Sequence, residues 1–232
     1  MIPMAPPPEV PPGFVLAHVG AADDACAVLE LRRVDDRPGT GVRCDLAAIS
    51  LRGGLAEARA MPVVRAVGEA RTVVDATAGL LGDTFLLAAA GMKVTAIERS
   101  AVVHALAVDG LRRAALDPRL SELIGGRIEL VHADARTWLA AHTGSADAPD
   151  AVVIDPMFPP KRKRSALPRK EMALLREVVG SDLDASELLA AARACARQRV
   201  ALKRGDDADI IVDPEWTIGG TTVRYDVWRT RT

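Results

Sequence analysis

Asp155-Pro156-Met157-Phe158-Pro159-Pro160 places a carboxylate, a stiffened backbone and an aromatic ring side by side. The carboxylate of Asp155 accepts N–H bonds, the carbonyl of Pro156 offers a second acceptor, and the Phe158 ring can stack on a flat face. Together they suit a planar amino group, which makes Asp155, Pro156 and Phe158 the catalytic candidates. A block of positive charge follows at once: Lys161, Arg162, Lys163 and Arg164, then Arg169 and Lys170. Cations beside such a pocket point to phosphate gripping, so the planar group is expected to belong to a nucleic acid. Ser165 can add a polar contact, and Lys203 and Arg204 extend the same positive rim.

Such a pocket must be held by regular elements, and the preceding Ala151-Val152-Val153-Ile154 reads as a short buried strand. From residue 71 onward strands and helices alternate. Thr72–Val74, Lys93–Ile97, Arg127–Val131, Ala151–Ile154 and Arg199–Leu202 are expected strands. Helices are expected over Thr84–Ala90, Val102–Ala115, Ala135–Ala141, Glu171–Val179 and Ala185–Ala196, and a closing hairpin runs from Trp216 through Gly219-Gly220 to Trp228. This alternation predicts a doubly wound, mostly parallel α/β sheet with helices on both faces.

The first four of these strands end in Asp75, Glu98, Asp134 and Asp155. Open α/β sheets bind ligands beyond the carboxyl ends of their strands. Gly79 and Gly82, in the loop after the first strand, let backbone pass close to a ligand there. Glu98, 23 residues after Asp75, is placed to accept hydrogen bonds from ribose hydroxyls. Bonds to a charged acceptor contribute about 1.5–3 kcal/mol each. Asp134 can read an adenine edge, cap the helix that follows it, or do both. An acidic row of this kind suits a nucleoside cofactor that carries positive charge.

The N-terminal part is less regular. Six prolines among the first twelve residues predict an extended tail over 1–13. Residues 14–70 read as a small α+β lobe, with a hairpin expected between Ala25–Val34 and Gly41–Ile49. A helix is expected over Leu55–Val67, shortened or kinked by Pro62. Residues 71–232 make up the main domain.

Composition narrows the class. Hydrophobic residues are 49% of the 232, enough for a sizeable core, and aromatics are only 3%. The formal net charge is −1, so contact with a nucleic acid must come from local patches. Cys26, Cys44 and Cys195 fit no metal spacing and no complete disulfide set, and the four histidines are scattered. No metal is expected. No apolar run reaches membrane-spanning length and the first residues carry no signal-peptide pattern, so a cytoplasmic location is expected.

Residue by residue, the chain resembles the ribosomal RNA small-subunit methyltransferase J family, within the class I S-adenosylmethionine-dependent methyltransferases. The resemblance rests on Asp75-Ala76-Thr77-Ala78-Gly79-Leu80 with Asp83, on Glu98-Arg99, and on Asp155-Pro156-Met157-Phe158-Pro159 with Lys163-Arg164-Ser165-Ala166-Leu167 and Lys170-Glu171-Met172. Val179 to Asp184, Val200 to Arg204 and Arg224-Tyr225-Asp226-Val227 extend it, so that it spans roughly 65–230. It implies a Rossmann-like seven-stranded sheet and S-adenosyl-L-methionine as cofactor. It implies cofactor contacts at Gly82, Asp83, Glu98, Arg99, Asp134, Ala135 and Asp155, beside Asp75 and Gly79. The implied substrate is the N2 of a guanosine in 16S rRNA or the 30S subunit. Leu81 departs from the pattern, standing where a family glycine is expected, with Gly82 one position later.

The residues alone leave other readings open. The same pocket suits another planar amine, adenine N6 or a glutamine amide. A nicotinamide-dependent oxidoreductase shares the sheet pattern, but the one tyrosine, Tyr225, has no Tyr-x-x-x-Lys partner and hydride transfer gives Asp155–Pro160 no task. A non-catalytic RNA-binding module is opposed by the intact Asp155-Pro156-Met157-Phe158.

Overall fold

A computed structural model of the chain describes residues 8–20, 27–156, 170–180, 184–206, 208–220 and 222–230. Its centre is a seven-stranded sheet in the order β5-β4-β3-β6-β7-β9-β8. The strands are β3 (Thr72–Asp75), β4 (Lys93–Glu98), β5 (Ile128–His132), β6 (Ala151–Ile154), β7 (Arg199–Gly205), β8 (Trp216–Gly219) and β9 (Val223–Arg229). β3 to β7 run parallel, and β9 is antiparallel to both β7 and β8. The chain winds outward through β4 and β5, then restarts on the other side of β3 with β6. That reversal opens a crevice between β3 and β6 at their carboxyl ends. All four residues of β6 are buried, as expected of a strand covered on both faces.

The helices are α1 (Gly54–Ala60), α2 (Pro62–Val67), α3 (Gly82–Ala89), α4 (Ala101–Leu116), α5 (Pro118–Ile124), α6 (Ala135–His142), α7 (Lys170–Val179) and α8 (Ala185–Cys195). Pro62 splits the expected Leu55–Val67 helix into α1 and α2, because proline lacks the N–H that would continue the ladder and instead starts the next helix. α5 has no counterpart among the expected helices. Asp117 caps it through bonds from the Arg119 and Leu120 N–H groups, and Pro118 begins it. Ser100 likewise caps α4.

The expected hairpin between 25–34 and 41–49 needs correction. β2 (Val28–Arg33) pairs antiparallel with β1 (Phe14–Val19), and the later segment contributes only a single bridge, Leu31 with Val42. The reason lies in Glu30, a buried carboxylate that accepts bonds from the Gly39 and Gly41 N–H groups. It ties the loop down rather than letting it extend as a strand. This small sheet docks on α4, where buried Asp109 accepts the Leu29 N–H at 3.1 Å and pairs with Arg112 and Arg113. Gly110 is needed at that contact, since a Cβ there would lie 2.3 Å from Cys44 Sγ. One apolar cluster therefore runs from Leu16, Leu29 and Leu31 through Leu106 to Phe85 and Val73.

Among the described residues no helix is long and apolar enough to cross a membrane. Among them, too, no set of three or more His, Cys, Asp or Glu side chains is placed to hold a metal ion. Cys44 and Cys195 are buried free thiols, and burial pushes Cys44 up to about 12.

Candidate active site

The strand ends converge on one cleft at the β3/β6 crevice. Its lining includes Asp75, Thr77, Gly79, Gly82, Asp83, Glu98, Arg99, Asp134, Ala135, Asp155 and Lys203. Ile97, Leu175, Val179 and Leu188 give it apolar walls.

The loop from β3 to α3 shapes its floor. Gly79 has φ +53, and its N–H donates to Glu98 Oε2 at 3.0 Å. Glu98 Oε1 accepts the Ser100 N–H at 2.7 Å, so the carboxylate at the end of β4 is held by backbone from two loops. The left-handed turn that starts α3 falls on Leu81, with φ 64 and ψ 21. Gly82 does not take a positive φ, so the expected glycine conformation is carried by a leucine. A left-handed non-glycine residue costs roughly 1–2 kcal/mol. Leu81 offsets this by burying its side chain completely.

Asp75 is almost fully buried. It accepts bonds from Thr84 Oγ1 at 2.6 Å and from the Thr77 N–H at 3.3 Å. Burial is the main cause that pushes its carboxyl up to about 7, against the opposing hydrogen bond from Thr84, with the nearby Asp83 charge adding to the rise.

Lys203 lies inside the site, not on an outer rim as the sequence suggested. β7 carries its ammonium into the crevice, 2.9 Å from Asp155 Oδ2 and 3.0 Å from Asp83 Oδ2. Tyr225, opposite it on β9, donates its hydroxyl to the same Asp83 oxygen at 3.0 Å. Burial opposes the charge on Lys203, but Asp155 and Asp83 outweigh it and hold the ammonium above the ordinary lysine range. For Tyr225 burial is the largest cause of an upward shift, and Asp83 adds to it, so the phenol stays protonated and remains a donor.

Asp155 joins this group to the glycine loop. Its N–H donates to Thr77 Oγ1 at 2.6 Å, and its side chain is 46% exposed. Pro156 beside it is buried. Phe158, Lys161, Arg162, Lys163, Arg164, Ser165 and Arg169 lie outside the described residues, and Lys170 begins α7.

Two of the expected contact residues have partners within the fold. Asp134 caps α6 by accepting the Arg136 N–H at 2.8 Å, and it also pairs with the Arg136 guanidinium at 2.7 Å. The hydrogen bond from the Arg136 side chain is the main cause that holds Asp134 below the usual carboxylate range. Arg136 in turn meets Asp184, which also pairs with Arg99 at 2.8 Å, so these charges form a chain along the mouth of the cleft. Arg204 takes the opposite side of β7 from Lys203. It is 9% exposed and donates to the Asp209 carbonyl at 2.7 Å, which removes it from any outer positive rim. Alternation along a strand explains why adjacent cations part in this way.

Sequence reasoning missed Thr77, Thr84, Arg136 and Asp184 as parts of the site, and gave Tyr225 no role in it. Thr77 and Thr84 flank the glycine loop and carried no charge signal. Lys203 and Tyr225 were findable, because the parallel strand β7 must end at the same edge as β6.

This cleft fits a nucleoside carrying a positive charge. It offers carboxylates at Asp75, Asp83, Glu98 and Asp155, backbone that can approach closely at Gly79, and apolar walls for a flat ring. Comparison with known proteins agrees. The family model described as "Putative SAM-dependent methyltransferase" matches residues 14–230. Ribosomal RNA small subunit methyltransferase J of Aeromonas hydrophila is 43% identical over 225 residues, covering 94% of this chain and 87% of the relative. The protein of the same name from Thioalkalivibrio sulfidiphilus is 47% identical over 178 residues, 74% of this chain and 69% of the relative. The solved SAM-dependent methyltransferase of Neisseria gonorrhoeae superposes with a TM-score of 0.68 at 30% identity, covering 99% of this chain and 87% of that one. The sheet order, the cleft at its switch point and these relatives lead to one assignment: the chain belongs to the S-adenosylmethionine-dependent methyltransferases, in the family of ribosomal RNA small subunit methyltransferase J.

Proposed function

We propose that this chain transfers a methyl group from S-adenosyl-L-methionine to the exocyclic N2 of a guanosine in 16S rRNA, with the RNA itself or the 30S subunit as substrate. The observation that carries the reading is the placement of Asp155: its amide is tied to Thr77 of the glycine loop, and its carboxylate opens into the cleft that Glu98 lines. A group that accepts amine N–H bonds thereby sits within one cleft with the groups suited to the cofactor. The names of the relatives supply the RNA.

The bound cofactor supplies an already activated methyl on a sulfonium. Glu98, fixed by the Gly79 and Ser100 N–H groups, is the proposed acceptor for ribose hydroxyls. Gly79, Gly82, Asp83, Arg99, Asp134 and Ala135 complete the proposed cofactor surface, with Asp134 and Arg99 acting mainly through the charged chain at the mouth. The guanine N2 lone pair is delocalised into the ring. Bonds from N2–H to Asp155 and to the Pro156 carbonyl draw that nitrogen toward tetrahedral geometry, and Phe158 is the proposed stacking partner. Lys203 positions the Asp155 carboxylate, and the Lys203–Asp83–Tyr225 group fixes Lys203 in turn. The gain comes from alignment, for which effective molarities of about 10⁵–10⁸ M set the outer scale. Asp155 or water takes the departing proton. The base must leave its stack to enter. Lys161 to Arg164, Ser165, Arg169 and Lys170 are the proposed phosphate contacts beside the pocket.

The proposed organisation is a tail over 1–13, a lobe over 14–70 and a methyltransferase domain over 71–232, acting in the cytoplasm, where ribosomal RNA lies. Tritiated methyl transfer from S-adenosylmethionine to 30S subunits, followed by nucleoside analysis, tests the reading. N2-methylguanosine is expected. Label on adenine or on protein, with none on guanine, overturns it.

A further inference from the structure

The opposite edge of the sheet, where the parallel strands begin, carries its own charge. Arg71 precedes β3 and Lys93 opens β4, side by side with Arg59 of α1 and Arg65 of α2 around one cleft. A second cleft shares Arg59, Ala90 and Gly91 with the first and adds Arg52 and Arg119. All six cations are exposed. Glu69 and Glu122 are the acids among the linings, and no ion pair links either to the six among the described residues. By contrast, nearby Arg127 spends its guanidinium on the Leu123 and Ile124 carbonyls at the end of α5.

Helix dipoles do not account for the group. Arg59 and Arg65 lie in the last turns of their helices, where a cation is favoured by about 0.3–1 kcal/mol. Arg52, Arg71 and Lys93 lie outside helices, and Arg119 occupies the first turn of α5, where the dipole opposes it. Like charges gathered without ion pairs among the described residues repel one another in the free protein. In a chain of net charge −1, such a concentration calls for a polyanion. Five of the six are arginines, whose forked guanidinium suits phosphate oxygens.

We propose that this edge is a second phosphate-binding tract for the RNA backbone, resting on the RNA-methyltransferase reading above. β4 alone, running from Lys93 to Glu98, separates the two edges by roughly 16 Å at about 3.3 Å per residue. A single extended strand entering the active cleft does not also cover the reverse edge. The two tracts together therefore select a folded RNA, one segment delivering the target base and another, of duplex form, lying across Arg59, Arg65, Arg71 and Lys93.

The test compares the parent with the variant Arg59→Gln/Arg65→Gln/Arg71→Gln/Lys93→Gln on refolded 16S rRNA and on a short single-stranded RNA oligonucleotide. Unchanged S-adenosylmethionine affinity and melting temperature confirm that the variant folds, and single Arg71→Gln and Lys93→Gln variants serve if it does not. For refolded 16S rRNA, the slope of log affinity against log salt is expected to fall in magnitude by about 2 to 4, at about 0.9 per lost duplex phosphate contact. With 30S subunits, KM for methyl transfer rises at least tenfold and kcat stays within twofold. Oligonucleotide affinity is unchanged. An unaltered salt slope on 16S rRNA, or an equal loss on both RNAs, overturns the second tract. If the parent binds 16S rRNA but methylates nothing in it, the function reading fails while the salt slopes still decide this proposal.

Discussion

The two ends of one parallel sheet carry opposite chemistry. At the carboxyl end, Asp75, Asp83, Glu98 and Asp155 line a shared cleft, and each has a partner within the fold. At the amino end, six exposed cations stand around two adjoining clefts without ion pairs among the described residues. The carboxyl edge is organised for orientation: its charges are bonded and partly buried, and burial pushes Asp75 up to about 7. The six cationic side chains of the amino edge form no such ion pairs among the described residues, which suits a surface that tracks a backbone and has no need to hold a reacting atom. Strand polarity makes the division possible, since every parallel strand contributes one residue to each edge.

The comparison predicts where substitutions hurt. Asp155→Ala should have the largest effect, lowering kcat for methyl transfer roughly 10²–10⁴-fold. The exposed side chain makes loss of folding unexpected, and a melting curve checks this. Normal turnover would show that the carboxyl edge does not act through this residue.

Lys203→Met should come next. It leaves Asp83 and Asp155 without their ammonium. Removing one partner of a buried pair costs about 3–5 kcal/mol, reduced here toward about 1–3 because Asp155 is half open to water. Urea unfolding measures the loss, and Lys203→Arg should restore part of it. Single-turnover kinetics should show a slower chemical step as well, which a purely structural role would not produce.

Leu81→Gly sets two effects against each other. It relieves a left-handed strain of roughly 1–2 kcal/mol and empties a fully buried leucine site, for which truncation costs about 2–5 kcal/mol. The variant should therefore be less stable by about 1–3 kcal/mol, read by urea unfolding. A gain in stability would mean that the leucine is tolerated rather than used.

A further effect depends on pH. The folded-state pKa of Asp75, about 7, lies above its unfolded value of about 3.9. Its contribution to stability is fully present below the unfolded value and fades as pH rises through about 7. Asp75→Asn removes that loss, so the variant's stability relative to the parent should improve from pH 5 to pH 8. Urea midpoints at the two pH values check this. A relative stability that stays flat over the same range would mean that Asp75 is already ionised in the folded protein at pH 5.

Much of this was legible in the chain. The strands ending at Asp75, Glu98 and Ile154 announce themselves through apolar runs followed by acids, and the switch point follows from the alternation of strands and helices. What the sequence could not show was direction within the crevice. Lys203 and Arg204 look alike on paper, but successive residues of a strand point to opposite faces, so one enters the site and the other is buried behind it. The pairing of β2 was hidden for a different reason: it depends on Glu30 holding Gly39 and Gly41, a long-range bond without a local pattern. The basic amino edge was missed because its residues are scattered between Arg52 and Arg119 and meet only once the sheet has formed.

Calorimetry with S-adenosylmethionine tests the division of labour most directly, using the parent, Glu98→Ala, and the quadruple variant of the amino edge. Losing hydrogen bonds to a charged acceptor worth about 1.5–3 kcal/mol corresponds to roughly 10- to 150-fold in affinity. Glu98→Ala should weaken binding by that much, and the amino-edge variant should bind as the parent does. Unchanged affinity in Glu98→Ala, or a comparable loss in the amino-edge variant, would contradict the assignment of cofactor binding to the carboxyl edge.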